Sequence, residues 1–117
     1  MTLPLGIASC FLTFCLAVFT QGAQAVDVNS QALMLAKQNA CLGCHPIDKK
    51  IVGPSFKSIA MKNQGKPNAQ IFIQNKIQKG GSGSWGVVPM PANYRLSNGD
   101  LVVLTAWILR GAPSSNH

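Results

Sequence analysis

The chain has 117 residues and a formal net charge of +7 at pH 7, with ten Lys and Arg against three Asp and Glu. This length is enough for one domain. The basic residues are dispersed and do not form a cluster with interleaved aromatic residues, which argues against nucleic-acid binding. A single-signed charge of this size instead predicts attraction to acidic partners that weakens as salt is added.

The first predicted element is a secretory signal over residues 1–25. Residues 3–19 are almost unbroken apolar sequence, and Ala23 and Ala25 form the small-x-small pattern that precedes a signal cleavage site. An uncleaved membrane anchor is the alternative, but the apolar run is shorter than the roughly 20 residues that span a bilayer. We therefore expect cleavage after Ala25, a periplasmic location and a mature domain over residues 26–117 with no stable membrane insertion.

The number of cysteines limits how this small domain can be stabilised. Cys10 and Cys15 lie in the predicted signal, so the mature chain keeps only Cys41 and Cys44. One pair excludes a disulfide framework. A hydrophobic core of this size gives only marginal stability. The domain is therefore expected to need a bound metal or cofactor to stabilise it.

The mature sequence predicts an all-α fold, and its first helix leads into the cysteine pair. That helix is predicted from Ser30, a usable N-cap, through His45, with few helix breakers before Gly43. Two prolines and a glycine make residues 46–54 a loop. Residues 55–62 are predicted to form two further helical turns.

Two more helices follow. Asn68 is the predicted N-cap of a helix over residues 69–79, where Ile71, Phe72, Ile73 and Ile77 form an apolar stripe and Gly80 ends the helix. The last helix is predicted to begin at a capping box between Ser97 and Asp100 and to stop at Gly111 and Pro113. No segment alternates as a strand would.

The connection over residues 80–93 is too rich in glycine and proline for a regular element. So long a loop in so small a domain is unusual unless it has a function. We therefore expect a bound group between this loop and the region of Cys41.

The motif Cys41-x-x-Cys44-His45 identifies that group. Residues three and four apart share one face of a helix, so two thiols and an imidazole are predicted to point the same way. The C-x-x-C-H pattern is the attachment signature of a c-type haem, whose vinyl groups take the thiols. A structural zinc needs four ligands, and the mature chain has only one more histidine, His117. A thioredoxin-like redox pair expects an α/β context.

The sixth iron ligand is predicted to be Met90. Met34 and Met61 lie on predicted helices, where methionine usually fills the core. Met90 instead lies between Pro89 and Pro91, which hold the backbone extended. It also belongs to the long loop over residues 80–93, beside which a bound group is expected. Ligation by His45 and Met90 raises the reduction potential and leaves no open coordination position, which predicts an electron carrier and not an enzyme.

Taken together, the sequence resembles the short bacterial class I cytochromes c, small periplasmic carriers that serve nitrite reductases and terminal oxidases. The resemblance runs from the first helix to Arg110 and rests on "CLGCH", "IVGPSF", "GSWGVVPMP" and "LTAWIL" in this order. It implies four to five short helices around one covalently bound haem c, with the terminal helices crossing. It also implies a monomer.

The resemblance assigns roles to further residues. Pro54 matches a proline whose carbonyl oxygen accepts a hydrogen bond from the axial histidine, here His45. Trp85 matches a tryptophan whose indole N–H reaches a haem propionate, and Lys76 stands where the family often has an arginine near the propionates. Asn93 matches an asparagine whose amide donates a weak hydrogen bond to the methionine sulfur. Phe56 and Trp107 are expected to be core residues.

Three functions are compatible with these residues. The favoured one is a monohaem carrier that docks on acidic surfaces of redox partners: cytochrome oxidase, nitrite reductase, or an upstream quinol-oxidising complex or cytochrome. The second is a five-coordinate haem protein with peroxidase or gas-sensing activity, against which stands the lack of a second mature histidine near a distal face. The third makes Cys41 and Cys44 a thiol redox pair.

Overall fold

Four α-helices make up the fold of the described residues. The computed structural model describes residues 1–3 and 26–115, so the predicted signal, apart from residues 1–3, lies outside the described residues. The helices are α1 (Val28–Gln38), α2 (Phe56–Asn63), α3 (Ala69–Lys79) and α4 (Asn98–Leu109), with a 3-10 turn at Cys41–Gly43. In the described residues there is no β-strand, only one isolated bridge. The all-α prediction is confirmed.

Helix α1 differs from the prediction at both ends. Its N-cap is Asp27, whose carboxylate accepts a hydrogen bond from Ser30 N at 3.2 Å, and not Ser30 itself. At the other end, Ala40 has a left-handed φ of 57°, which breaks the helix before Cys41. The Asn39 side chain donates to Leu35 O at 2.9 Å, and the Asn39 backbone N–H donates to the same carbonyl oxygen at 3.1 Å, so both groups cap the end of α1. The predicted continuous helix to His45 is therefore wrong.

The ends of α3 and α4 are close to the predicted ones. The Ser97 hydroxyl accepts from Asp100 N at 3.1 Å, which confirms the predicted start of the helix, and it donates to Asp100 Oδ2 at 2.8 Å in a pair that resembles a capping box. Asn68 does precede α3, but its φ is 60° and its side chain makes no capping hydrogen bond. Among the described residues, no helix is long and apolar enough to cross a membrane.

The core lies around α4, which packs against each of the other three helices. Phe56 and Trp107 are buried and meet edge to face, with ring centroids 5.4 Å apart, so the prediction that both are core residues is confirmed. The Trp107 Nε1–H donates to Pro113 O at 2.9 Å, which gives the buried indole its polar partner.

Several predicted apolar contacts are wrong. Met34 and Met61, expected to fill the core, are 48% and 68% exposed. On α3 only Ile73 and Ile77 are buried, whereas Ile71 and Phe72 are exposed. The reason is geometric: three consecutive helical residues cannot share one face, but residues four apart do. The buried pair faces α4 and the cavity described next.

Candidate functional site

The imidazole of His45 forms one wall of an apolar cavity, and its tautomer is set by a hydrogen bond. His45 Nδ1 lies 2.8 Å from the carbonyl oxygen of Pro54. Because a carbonyl oxygen only accepts, Nδ1 is the donor of this bond, and in the neutral ring Nε2 is then the nitrogen with the lone pair. The ring also stacks on Phe56, with centroids 5.8 Å apart. An imidazole held in this way is suited to bind a metal through Nε2.

The loop that carries Pro54 is tied back onto the cysteine segment. Gly53 N donates to Cys44 O at 2.9 Å, and Phe56 N donates to Pro46 O at 2.9 Å. At Gly53 a Cβ atom would lie 2.7 Å from His45 Nδ1, so the loop can approach the ring only because this residue has no side chain. The sequence marked Gly53 only as a loop breaker, and its contact with His45 was missed.

The 3-10 turn brings the two thiols to the same cavity as the imidazole. Cys44 N and His45 N both donate to Cys41 O, at 3.1 and 2.8 Å. The three side chains therefore converge through a tight turn and not, as predicted, along one face of a helix. Cys41 and Cys44 are not joined by a disulfide. Burial raises the pKa of the Cys41 thiol above its ordinary value, so the thiol is neutral at pH 7.

Met90 lines the same cavity from the long loop between α3 and α4. Its backbone pairs with Gly81 in both directions: Gly81 N donates to Met90 O at 2.9 Å, and Met90 N donates to Gly81 O at 3.0 Å. Three residues later, Asn93 N donates to Ile77 O on α3 at 2.9 Å. Backbone hydrogen bonds at Met90 and at Asn93 therefore hold the part of the loop that carries the half-buried Met90 side chain.

Trp85 and Lys76 also line the cavity. Trp85 is 43% exposed, which excludes a simple core role. The Lys62 ammonium lies 4.2 Å from the centroid of the Trp85 ring, a cation–π contact, and it also donates to Ser84 O. Lys62 thus clips the loop to α2. In the sequence it was only one of several dispersed lysines, and nothing in its local pattern marks this contact.

Asn93 does not line the cavity wall in this structure. Its Nδ2 donates to Asn39 Oδ1 at 2.9 Å, and its Oδ1 accepts from Arg95 N at 2.9 Å. A primary amide has a second N–H, so the hydrogen bond to the Met90 sulfur stays a prediction. Asn39 was not recognised as part of the site, because its partner is 54 residues away in the sequence.

The residues gathered around the cavity fit a haem. Two thiols and an imidazole with an unprotonated Nε2 lie on one segment, and a thioether is carried by another. Between them the wall is apolar and comes from α2, α3 and α4. Its main aliphatic and aromatic members are Phe56, Ile59, Ile73, Ile77, Leu104 and Ile108. Soft sulfur and imidazole donors around an apolar space suit an iron porphyrin.

The chain is similar to proteins of known family. Residues 31–111 match the family model described as cytochrome c. Cytochrome c-552 of Nitrosomonas europaea is 42% identical over 95 residues, which cover 80% of this chain and 92% of that protein. Cytochrome c-551 of Allochromatium vinosum is 42% identical over 77 residues, which cover 66% and 82%.

The same similarity extends to the fold. The crystal structure of wild-type Nitrosomonas europaea cytochrome c552 superposes with a TM-score of 0.65 at 43% sequence identity. The superposition covers 68% of this chain and 98% of that one. About two thirds of this chain therefore has a counterpart in a solved structure.

Proposed function

Because the chain belongs to the cytochrome c family, whose members carry covalently attached haem c, we propose that it is a periplasmic single-electron carrier with His45 and Met90 as axial ligands. The observation that carries this proposal is the cavity shared by the two side chains, with His45 Nδ1 placed 2.8 Å from Pro54 O, which leaves Nε2 as the ring nitrogen available to a metal. In this proposal Cys41 and Cys44 provide the two thioether links.

When bound, a haem with imidazole and thioether ligands supplies an Fe(III)/Fe(II) couple of raised potential. The chain's own residues have supporting roles. Pro54 O orients the His45 ring and raises its basicity, and the Gly81 backbone holds Met90. The apolar wall keeps water away, which favours the less charged state of the centre. If His45 and Met90 both bound the iron, no coordination position would remain for a substrate.

The sequence and the charge support the proposed location and partners. The predicted signal over residues 1–25 supports export to the periplasm. No charged residue lies in that segment, so the mature chain keeps the full charge of +7. We propose brief docking on acidic surfaces of cytochrome oxidase, nitrite reductase, or an upstream quinol-oxidising complex or cytochrome.

Visible spectra of the protein purified from periplasm test the ligand assignment. We expect sharp reduced bands that do not change with carbon monoxide and a weak far-red ferric band from iron–sulfur ligation. Reduced bands that shift with carbon monoxide would favour the five-coordinate enzyme or sensor. A colourless protein would favour the thiol redox pair.

Replacing the methionines one at a time identifies the sulfur ligand. Met90→Ala is expected to abolish the far-red band, lower the reduction potential and open the ferrous protein to carbon monoxide, because the sulfur donor is lost. Met61→Ala is the matched control, since Met61 is 68% exposed on α2, and its spectrum is expected to equal that of the wild type. Loss of the band in Met61→Ala but not in Met90→Ala would refute the assignment.

A further inference from the structure

A chain of side-chain hydrogen bonds connects the segments on the two sides of the cavity. Asn39 lies two residues before Cys41, and Asn93 lies three residues after Met90. Asn93 Nδ2 donates to Asn39 Oδ1 at 2.9 Å, while Asn39 Nδ2 donates to Leu35 O at the end of α1, also at 2.9 Å. Both asparagines are half-buried. One hydrogen bond thus joins the segment just before Cys41 to the loop over residues 80–93 that carries Met90.

This network leaves the Asn93 amide only one orientation. Its Oδ1 accepts from Arg95 N, and one Nδ2 hydrogen is taken by Asn39, so exchanging the oxygen and the nitrogen would break both bonds. The backbone of Asn93 is held as well, since its N–H donates to Ile77 O. The bond to Asn39 is the one that connects this amide to the end of α1.

Asn39 is itself held in place. Its donation to Leu35 O fixes the carboxamide plane at the end of α1, and its backbone N–H also donates to Leu35 O at 3.1 Å. The Asn39 carbonyl oxygen lies 3.8 Å from Cys41 Sγ. The Asn39 side-chain oxygen is therefore fixed close to Cys41, and its bond to Asn93 restricts where the chain after Met90 can lie.

We propose that Asn39 is a positioning residue for the Met90 ligand and acts through Asn93. By fixing the Asn93 amide it restrains the segment that follows Met90 and strengthens the hold of the thioether on the iron. This inference rests on the proposed ligation by His45 and Met90. Without the Asn39 acceptor, the Asn93 side chain keeps only the bond from Arg95 N to its Oδ1, so its amide is less restrained and Met90 is released more easily.

A double-mutant cycle over Asn39→Ala and Asn93→Ala tests the proposal in the haem-loaded protein. The readouts are the far-red ferric band and the concentration of added imidazole that displaces Met90 from half of the ferric protein. Because one hydrogen bond in a network is lost, Asn39→Ala is expected to lower that concentration by about threefold to tenfold. In the Asn93→Ala background the same change is expected to have almost no effect.

Two further variants separate positioning from helix capping. Asn39→Asp keeps an oxygen acceptor for Asn93 but loses the donor to Leu35 O, so it is expected to lower thermal stability while restoring most of the far-red band. Asn29→Ala is the matched control on the same helix, because Asn29 bonds to Arg110 and Ser114 and not to the methionine loop. It is expected to lower stability with no change in imidazole displacement.

The outcomes are distinguishable. Equal effects of Asn39→Ala in both backgrounds, or an effect no larger than that of Asn29→Ala, would overturn the positioning role and leave the proposed ligation intact. A wild-type protein without the far-red band, or one that binds carbon monoxide readily, would overturn the ligation and the positioning role together.

Discussion

The His45 ring owes its position to two residues that contribute no functional side chain. Pro54 offers a backbone oxygen at 2.8 Å, and Gly53 offers the absence of a Cβ atom next to the imidazole. Pro54 has no backbone N–H that could bond to the imidazole, and Gly53 has no side chain that could displace it. At this scale the site depends on a close approach of backbone to ring, within a loop that has no regular structure.

Gly53→Ala is expected to displace the His45 ring, because its Cβ would lie 2.7 Å from Nδ1 and 3.2 Å from Nε2. Overpacking of this kind costs about 1–3 kcal/mol. We expect a lower melting temperature and a shifted absorption spectrum in the haem-loaded protein. Gly43→Ala is the control, because a Cβ atom there meets nothing within 4 Å. If both variants matched the wild type, the close approach at Gly53 would be unimportant.

The loop over residues 80–93 acts as an element although it contains no helix or strand. The paired backbones of Gly81 and Met90 close its base, and Lys62 holds its tip through Ser84 O and the Trp85 ring. Gly80, at the start of the loop, has φ 66° and ψ −148°, a region that essentially only glycine occupies. The loop is therefore ordered by its contacts with α2 and within its own backbone.

Gly80→Ala is expected to disturb Met90, the proposed sulfur ligand. An added Cβ would overlap Met90 O and lie 2.8 Å from Ala92 N, in addition to a backbone strain of about 1–3 kcal/mol. We expect a weaker far-red band and faster reaction with carbon monoxide, measured by stopped flow. Gly65→Ala provides the control: its φ is 71°, but a Cβ atom there meets nothing within 4 Å. It is expected to lose stability and to keep the wild-type spectrum, and an equal spectral change in both variants would refute the steric explanation.

For the whole molecule, the net charge of +7 governs encounters with partners. It is spread over exposed lysines and is opposed by only three acidic residues, one of which, Asp48, pairs with Lys57. An exposed pair of this kind contributes little to stability. The long-range effect of the charge is on association, which it accelerates for anionic partners and slows for cationic ones.

Salt is therefore expected to change electron-transfer rates with opposite signs for reagents of opposite charge. Raising the ionic strength from about 0.01 to 0.1 M shortens the Debye length from about 30 to 10 Å. Oxidation of the ferrous protein by anionic hexacyanoferrate(III) is expected to slow by up to about tenfold. Oxidation by cationic tris(phenanthroline)cobalt(III) is expected to accelerate. Rates that do not respond to salt with either reagent would show that charge does not steer association.

The sequence by itself determined the all-α fold, the Ser97 capping box, the irregular loop at residues 80–93, and the motif from Cys41 to His45 that predicts haem c. These features depend on residues close together in the chain, whose spacing and backbone preferences can be read directly. It did not reveal the helix break at Ala40. There the left-handed backbone costs about 1–2 kcal/mol for a residue other than glycine, and no local signal announces it.

Only the tertiary structure decided the rest: the close approach of Gly53 to His45, the contact of Lys62 with Trp85, and the hydrogen bond between Asn39 and Asn93. Each of these involves a residue whose local pattern indicates only a loop, a solvated charge or a helix end. Their partners are brought close by the packing of α1, α2 and α3 around α4. Such contacts depend on the relative placement of distant segments, which no short stretch of sequence specifies.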